Sequence, residues 1–199
     1  KYNVAVNIAK SDDEYTDFGD ESAQTPNLRR KGTSSMVWQM YQADGLFQSQ
    51  EEIDNWPTDQ DGQGNATLAP GDIKYIDQPD KDGKLDGKIT TDDVVAMGYP
   101  TVPEIVYGFG PTMTYRNVDF SFFLQGAART SLMMSGFHPF GAQYNRNVLQ
   151  FVADDHWSPT NQNIRAAYPR LTKYENNHNS RASDFWLRDA SFLKLKNVE

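Results

Sequence analysis

Ile105-Val-Tyr-Gly-Phe-Gly-Pro-Thr-Met-Thr-Tyr115, Arg116-Asn117 and Val118-Asp-Phe-Ser-Phe-Phe-Leu-Gln-Gly126 read as two alternating strands joined by a minimal turn. A strand places successive side chains on opposite faces, so Ile105, Tyr107, Phe109, Met113 and Tyr115 share one side while Val106, Gly108, Gly110, Thr112 and Thr114 share the other. The second run repeats the contrast, with Val118, Phe120, Phe122 and Leu124 against Asp119, Ser121, Phe123 and Gln125. One side is apolar and the other small or polar. That pattern suits a membrane hairpin with lipid outside and a wet lumen inside, and equally a soluble sheet with one buried face. Asn117 is the residue expected to take the positive φ that so short a turn requires.

Working outward, Tyr2, Val4, Val6 and Ile8 alternate with Asn3, Ala5, Asn7 and Ala9, which predicts a strand over 1–9. Met36, Trp38 and Met40 at period two predict another over 34–41, and Phe192-Leu-Lys-Leu-Lys196 marks a last one over 187–198. With 104–115 and 117–126, these give five strands separated by two long connections, 42–103 and 127–184. The first is rich in Gly, Asp, Gln and Pro, with a helical turn expected at 48–54. Connections beyond about 15 residues in a compact domain are either functional or small lobes with their own folding. A two-residue turn at one end and very long loops at the other is the asymmetry of outer-membrane barrels. The chain opens inside one alternating run and stops inside another, so a segment of something larger is expected.

Composition narrows the function. The net charge of −8 argues against a nucleic-acid partner, whose phosphates are bound by clustered Lys and Arg. Four Trp, ten Tyr and eleven Phe are many for a chain only 38% hydrophobic, a mixture that fits barrels and sugar-binding surfaces better than helical bundles. The absence of cysteine removes disulfides and thiolate metal sites. No apolar run reaches the ~18 residues of a membrane helix, a test that transmembrane strands escape.

Catalytic patterns are thin. His138, His156 and His178 lack ligand spacing, Asp154-Asp155-His156 reads as a chance loop cluster, and no phosphate loop, dinucleotide fingerprint or nucleophile elbow occurs. The chain is not expected to be an enzyme. Trp56, Tyr144, Trp157 and Tyr174, in the long connections, are candidates for stacking on substrate or for anchoring the loops from within. The acidic segment 77–93 resembles a calcium loop. With Asp82 first, Asp86 falls at position five, Gly87 at six, Thr90 at nine and Asp93 at twelve, but Lys84 occupies the third ligand position. The alternative register opens on Gln78 and ends on Ile89. Asp82, Asp86, Thr90 and Asp93 are thus the candidate ligands, with Ca²⁺ the candidate ion and no cofactor otherwise required.

Tyr41-Gln-Ala-Asp-Gly-Leu-Phe-Gln-Ser-Gln-Glu-Glu-Ile53, Pro70-Gly-Asp-Ile-Lys-Tyr-Ile-Asp77, Asp86-Gly-Lys-Ile-Thr-Thr-Asp-Asp93, Gly98-Tyr-Pro-Thr-Val-Pro-Glu-Ile-Val-Tyr-Gly-Phe-Gly110 and 183–199, in this order and spacing, resemble the late barrel region of SusC/RagA-type TonB-dependent transporters. The likeness covers nearly everything from Tyr41 onward, while 1–40 fit by pattern alone. It implies an all-β segment of antiparallel strands from a large transmembrane β-barrel of about twenty-two strands, incomplete in this chain, with long extracellular loops. It further implies a place in the outer membrane of a Gram-negative, Bacteroidetes-type bacterium and import of oligosaccharide or oligopeptide nutrients. The partners it implies are a SusD-like surface lipoprotein, outer-membrane lipid, and TonB acting through parts outside these residues. Lys84, the residues around Pro79 and the missing ladder donor at Pro111 depart from the pattern. The competing reading is a soluble β-rich carbohydrate-binding module with a calcium loop. The two differ in what Phe120, Phe122 and Leu124 face.

Overall fold

The computed structural model describes residues 1–20, 25–134 and 147–199. Its framework is a four-stranded antiparallel sheet in the order β1 (Tyr2–Lys10), β6 (Ile105–Tyr115), β7 (Val118–Ala128), β10 (Phe192–Val198). β6 and β7 have 11 residues each and β1 has 9, within the ~9–11 that a tilted strand needs to cross a bilayer. The hairpin closes with Tyr115 opposite Val118. Its positive φ falls on Arg116, at 54°, rather than on Asn117 as the sequence suggested.

Pairing fixes the faces. Val6 opposes Phe109, Phe109 opposes Leu124, and Leu124 opposes Leu195, so the apolar sets of all four strands share one side. Asn7, Gly108, Gln125 and Lys194 line up on the other. A one-residue slip would exchange the two faces, and the extra residue Lys196, bulged between Leu195 and Asn197, keeps Val198 on the apolar side opposite Phe122.

The remaining elements are short: β2 (Trp38–Tyr41) with β5 (Val94–Met97), β3 (Ala43–Leu46) with β4 (Ile73–Tyr75), β8 (Ser131–Met133) with β9 (Leu187–Asp189), and two one-turn helices, α1 (Gln50–Asp54) and α2 (Gln150–Asp154). α1 starts where Ser49 Oγ accepts the Glu52 N–H and the Glu52 carboxylate accepts the Gln48 N–H, and it buries Ile53. The expected 34–41 strand begins only at Trp38, because Ser34 Oγ and the Ser35 N–H both donate to Asp13 and hold 34–36 in a turn. The expected 187–198 strand is two strands, broken where Asp189 accepts the Ser191 N–H.

These small ribbons form a lobe at the end of the sheet away from Arg116. Leu46, Ile73, Tyr75 and Ile89 from the first long connection pack with Val152, Trp157, Ala166 and Tyr168 from the second and with Trp186 just before β9. Phe47, Ile53 and Leu68 make a smaller cluster beside them. Fully burying each such side chain stabilises by about 1.5–3 kcal/mol. Tertiary contacts between the two connections therefore order segments whose sequence carries no sustained period.

Candidate functional site: an uncovered apolar sheet face and a polar cleft on the lobe

Among the described residues, every buried large apolar side chain lies in the lobe or the ribbons leading to it, and Ala127 is the one buried apolar side chain on the four-stranded sheet. The sheet's apolar face is bare. Tyr2 is 85% exposed, Phe120 41%, and Val4, Val6, Ile8, Met113, Tyr115, Leu193, Leu195 and Val198 are all exposed. Phe122 and Leu124 are half-buried, and Phe122 owes this to its neighbours on the same face: its ring centroid lies 6.1 Å from those of Phe109 and Phe120. Among the described residues no second sheet covers them. On the opposite face Asn7 and Phe123 close over Gly108, and Phe123 also lies against Gly110, so one aromatic ring fills the space the two glycines leave on the otherwise polar side.

The lobe is braced by Asp72, which is completely buried. Its Oδ1 accepts from Arg170 Nε at 2.7 Å, Asn179 Nδ2 at 2.8 Å and Asn176 Nδ2 at 3.1 Å, while Oδ2 accepts from the Ala69 N–H and Arg170 Nη2. One carboxylate thus ties the two long connections together. Gln60, equally buried, acts as a short extra strand: its Nε2 donates to the Tyr75 carbonyl and its Oε1 accepts the Tyr75 N–H, both at 2.8 Å. Tyr75 Oη donates to the His178 carbonyl, and burial pushes the phenol's pKa upward.

Trp157 is 4% exposed, with its Nε1 donating to Gln48 Oε1 and its ring against Gly71, so it anchors the lobe from within and offers no face to a ligand. Trp56 is half-buried, set edge-on to Phe47 at 5.5 Å, with the Lys74 ammonium 5.3 Å over its ring. Lys74 is itself paired to Glu52 at 2.8 Å. Tyr174 is 60% exposed and presents its ring. Tyr144 and His138 lie outside the described residues.

The acidic loop is held by its own hydrogen bonds. Asp93 Oδ1 accepts the Gln78 N–H and Oδ2 the Thr90 N–H, closing a capping box with Thr90. Asp86 accepts the Lys88 N–H, and Asp80, not Asp82, turns the loop tip by accepting the N–H groups of Asp82 and Lys84. Among the described residues no three His, Cys, Asp or Glu side chains are arranged to hold a metal ion. Of the expected calcium ligands, Asp86, Thr90 and Asp93 line one hollow together with Asp80 and Lys84, Asp82 is not among its lining residues, and Asp93 and Thr90 are engaged in the cap. Asp77 Oδ1 is buried without a partner, and burial pushes its carboxyl pKa upward, with the Asp93 and Asp86 charges adding to the rise against the bond from Gly87.

His156 Nδ1 meets the Ala153 carbonyl and Asp154 accepts from Gln150, so 154–156 do not converge as an acid–base pair. His178, expected in a loop, is buried. Its Nε2 faces the Ile73 carbonyl at 2.7 Å and therefore carries the proton, and burial drives its pKa down. His178 sits at a polar cleft of ≈ 730 Å³ between the loop around Asp61–Thr67 and the segment Arg170–Arg181. The cleft's cations are fixed. Arg170 is held by Asp72, Lys173 lies 5.2 Å over the Tyr174 ring, and Arg181 sits 5.5 and 5.7 Å from the Tyr41 and Tyr75 rings. No sequence pattern marked it, since its walls come from residues over a hundred positions apart.

No protein-family model matches the chain. Over 162 residues it is 32% identical to TonB-dependent receptor P26 of Formosa agariphila, an alignment covering 77% of this chain and 14% of that protein. Its fold matches a chain of the RagAB peptide transporter with a TM-score of 0.57 at 16% identity, covering 99% of this chain and 20% of that one. The same importer in an open-open state matches with a TM-score of 0.58 at 15% identity. The chain thus spans about one-seventh to one-fifth of the length of these proteins.

Proposed function

We propose that this chain, related to TonB-dependent receptors of the SusC/RagA type, supplies a stretch of wall and external rim to an outer-membrane β-barrel that imports oligomeric nutrients. The observation that carries this reading is the uncovered apolar face of the four-stranded sheet, beside a lobe that holds nearly all of the buried apolar core. In hydrocarbon every backbone polar group must be paired, which the ladders of β1, β6, β7 and β10 accomplish internally, with the outer edges of β1 and β10 left for neighbouring barrel strands. Tyr2 and Tyr115, on the apolar face near the tight turn, suit the aromatic girdle at a membrane interface.

In this reading the lobe stands outside the cell and meets the ligand and a SusD-like lipoprotein lid. The wall's polar face, with Asn3, Asn7, Thr112, Ser121 and Gln125, looks into the lumen. Import is then binding and gating, with energy from TonB delivered through parts of the barrel outside these residues. Tyr174 offers the lobe's exposed ring to an oligosaccharide or oligopeptide. A soluble carbohydrate-binding module would have to cover Phe120, Phe122 and Leu124, and no element among the described residues does so. Reconstituting the chain in lipid and mapping which side of β7 meets acyl chains tests the proposal.

A further inference from the structure

We infer that the cleft between Asp61–Thr67 and Arg170–Arg181 is a subsite for a carboxylate-bearing residue of the bound oligomer, stacked on Tyr174; the oligomer, though not the cleft, rests on the importer reading. In a chain of net charge −8, this cleft gathers three cations, Arg170, Lys173 and Arg181. Two of them are pre-aimed. Arg170 gives Nε and Nη2 to the buried Asp72, which fixes the plane of its guanidinium at the cleft wall. Arg181 gives Nη1 to the Gln60 carbonyl and lies beside the paired rings of Tyr41 and Tyr75, 5.5 and 5.7 Å from their centroids. Side chains ordered before binding lose little entropy on meeting a ligand, and the N–H groups of Arg170 and Arg181 not used within the protein can donate to a carboxylate.

Two acids line the cleft as well, so recognition rests on where the cations stand and not on a net positive charge. Asp61 accepts from the N–H groups of Gln63, Asn65 and Thr67 and from Thr67 Oγ1, which commits its lone pairs to the loop it braces. Glu175 has a partner of its own within the protein. His178 is neutral, with its Nδ1 carrying no hydrogen-bond partner, and so contributes no charge of either sign. Lys173, solvent-exposed over the Tyr174 ring, places its ammonium beside any ligand stacked there.

A carboxylate can come from an acidic peptide or from a uronic-acid sugar. Calorimetric titration of the 199-residue chain in detergent, with triglutamate and triglutamine as one pair and a galacturonate trimer and a galactose trimer as the other, separates the two sources. The acidic member of one pair is expected to bind at least about tenfold tighter than its neutral counterpart. Lys173→Gln should weaken the acidic probe about tenfold with an unchanged melting temperature, and Tyr174→Ala should weaken both members of that pair. Equal affinity of acidic and neutral probes, or no binding of either acidic probe, overturns the inference. Either result leaves lipid contact at Phe120, read separately, to stand or fall by itself.

Discussion

The phenol ring of Tyr107 on β6 lies across Gly126, its partner on β7: a Cβ at position 126 would stand 2.3 Å from Tyr107 Cζ. The ring continues past β7, and its Oη donates to the Phe192 carbonyl on β10 at 3.2 Å. One side chain therefore spans three strands, and the glycine is what lets it pass. Gly126→Ala is expected to push the ring aside and remove that bond, lowering stability by about 1 kcal/mol, and Tyr107→Phe to lose the bond alone. Urea unfolding of the two variants in detergent distinguishes the contributions.

Asp72 joins both long connections, so its removal is the severest single change open to the lobe. Asp72→Ala leaves Arg170 without its carboxylate and strands two asparagine amides, and should destabilise the lobe by about 3–5 kcal/mol. Hydrogen exchange should show the loss in β3 and β4 while β6 and β7 keep their protection.

Gly71 has φ +91°, and a Cβ there would sit 2.3 Å from Trp157 Cε3 and 2.7 Å from Arg170 Cβ. Gly71→Ala combines a disfavoured backbone with overpacking and is expected to cost about 2 kcal/mol or more, accompanied by a shift in tryptophan emission. Unaltered emission and melting would show that Trp157 does not pack as described.

His178 ties the lobe to pH. Burial lowers its folded pKa, against the pull of the Ile73 carbonyl and the Asp72 and Asp61 charges and with that of Arg181, so the unfolded chain takes up the proton more readily. The lobe's stability should be full above the unfolded value of about 6.5 and fall as pH drops below it. Melting curves between pH 8 and 5 should show this slope, flattened in His178→Gln. Asp77 and Asp184, both raised by burial, act with the opposite sign nearer the carboxylate range.

Calcium addition should leave the melting temperature unchanged across millimolar concentrations, because Asp93 and Thr90 already cap each other and Lys84 lines the same hollow as Asp80 and Asp86. A calcium-dependent rise reversed by chelator would show the loop's carboxylates, Asp77 Oδ1 among them, gathering about the ion.

What could be read from sequence was what local periodicity encodes. The alternation from Tyr2 to Ala9 and from Ile105 to Gln125 corresponds to strands whose faces segregate as the side chains require. The ends of strands were harder, because Asp13 delays the start of β2 and Asp189 ends β9 through side-chain bonds that no period announces. Hidden altogether were the lobe's core and the cleft, since Leu46, Tyr75, Trp157 and His178 meet only through long-range packing. Trp157 and Tyr174 were equivalent candidates in the sequence; burial separates them, one into the core and one onto the surface.

The cysteine-free chain permits a direct measurement of which face meets lipid. Nitroxide labels at Phe120→Cys and Leu195→Cys, and at Ser121→Cys and Gln125→Cys, would be compared in proteoliposomes for collisions with oxygen, which partitions into hydrocarbon, and with a water-soluble nickel complex. Positions 120 and 195 are expected to favour oxygen, and 121 and 125 nickel. Equal accessibility of the two sets, or nickel contact at 120, would contradict a lipid-facing wall.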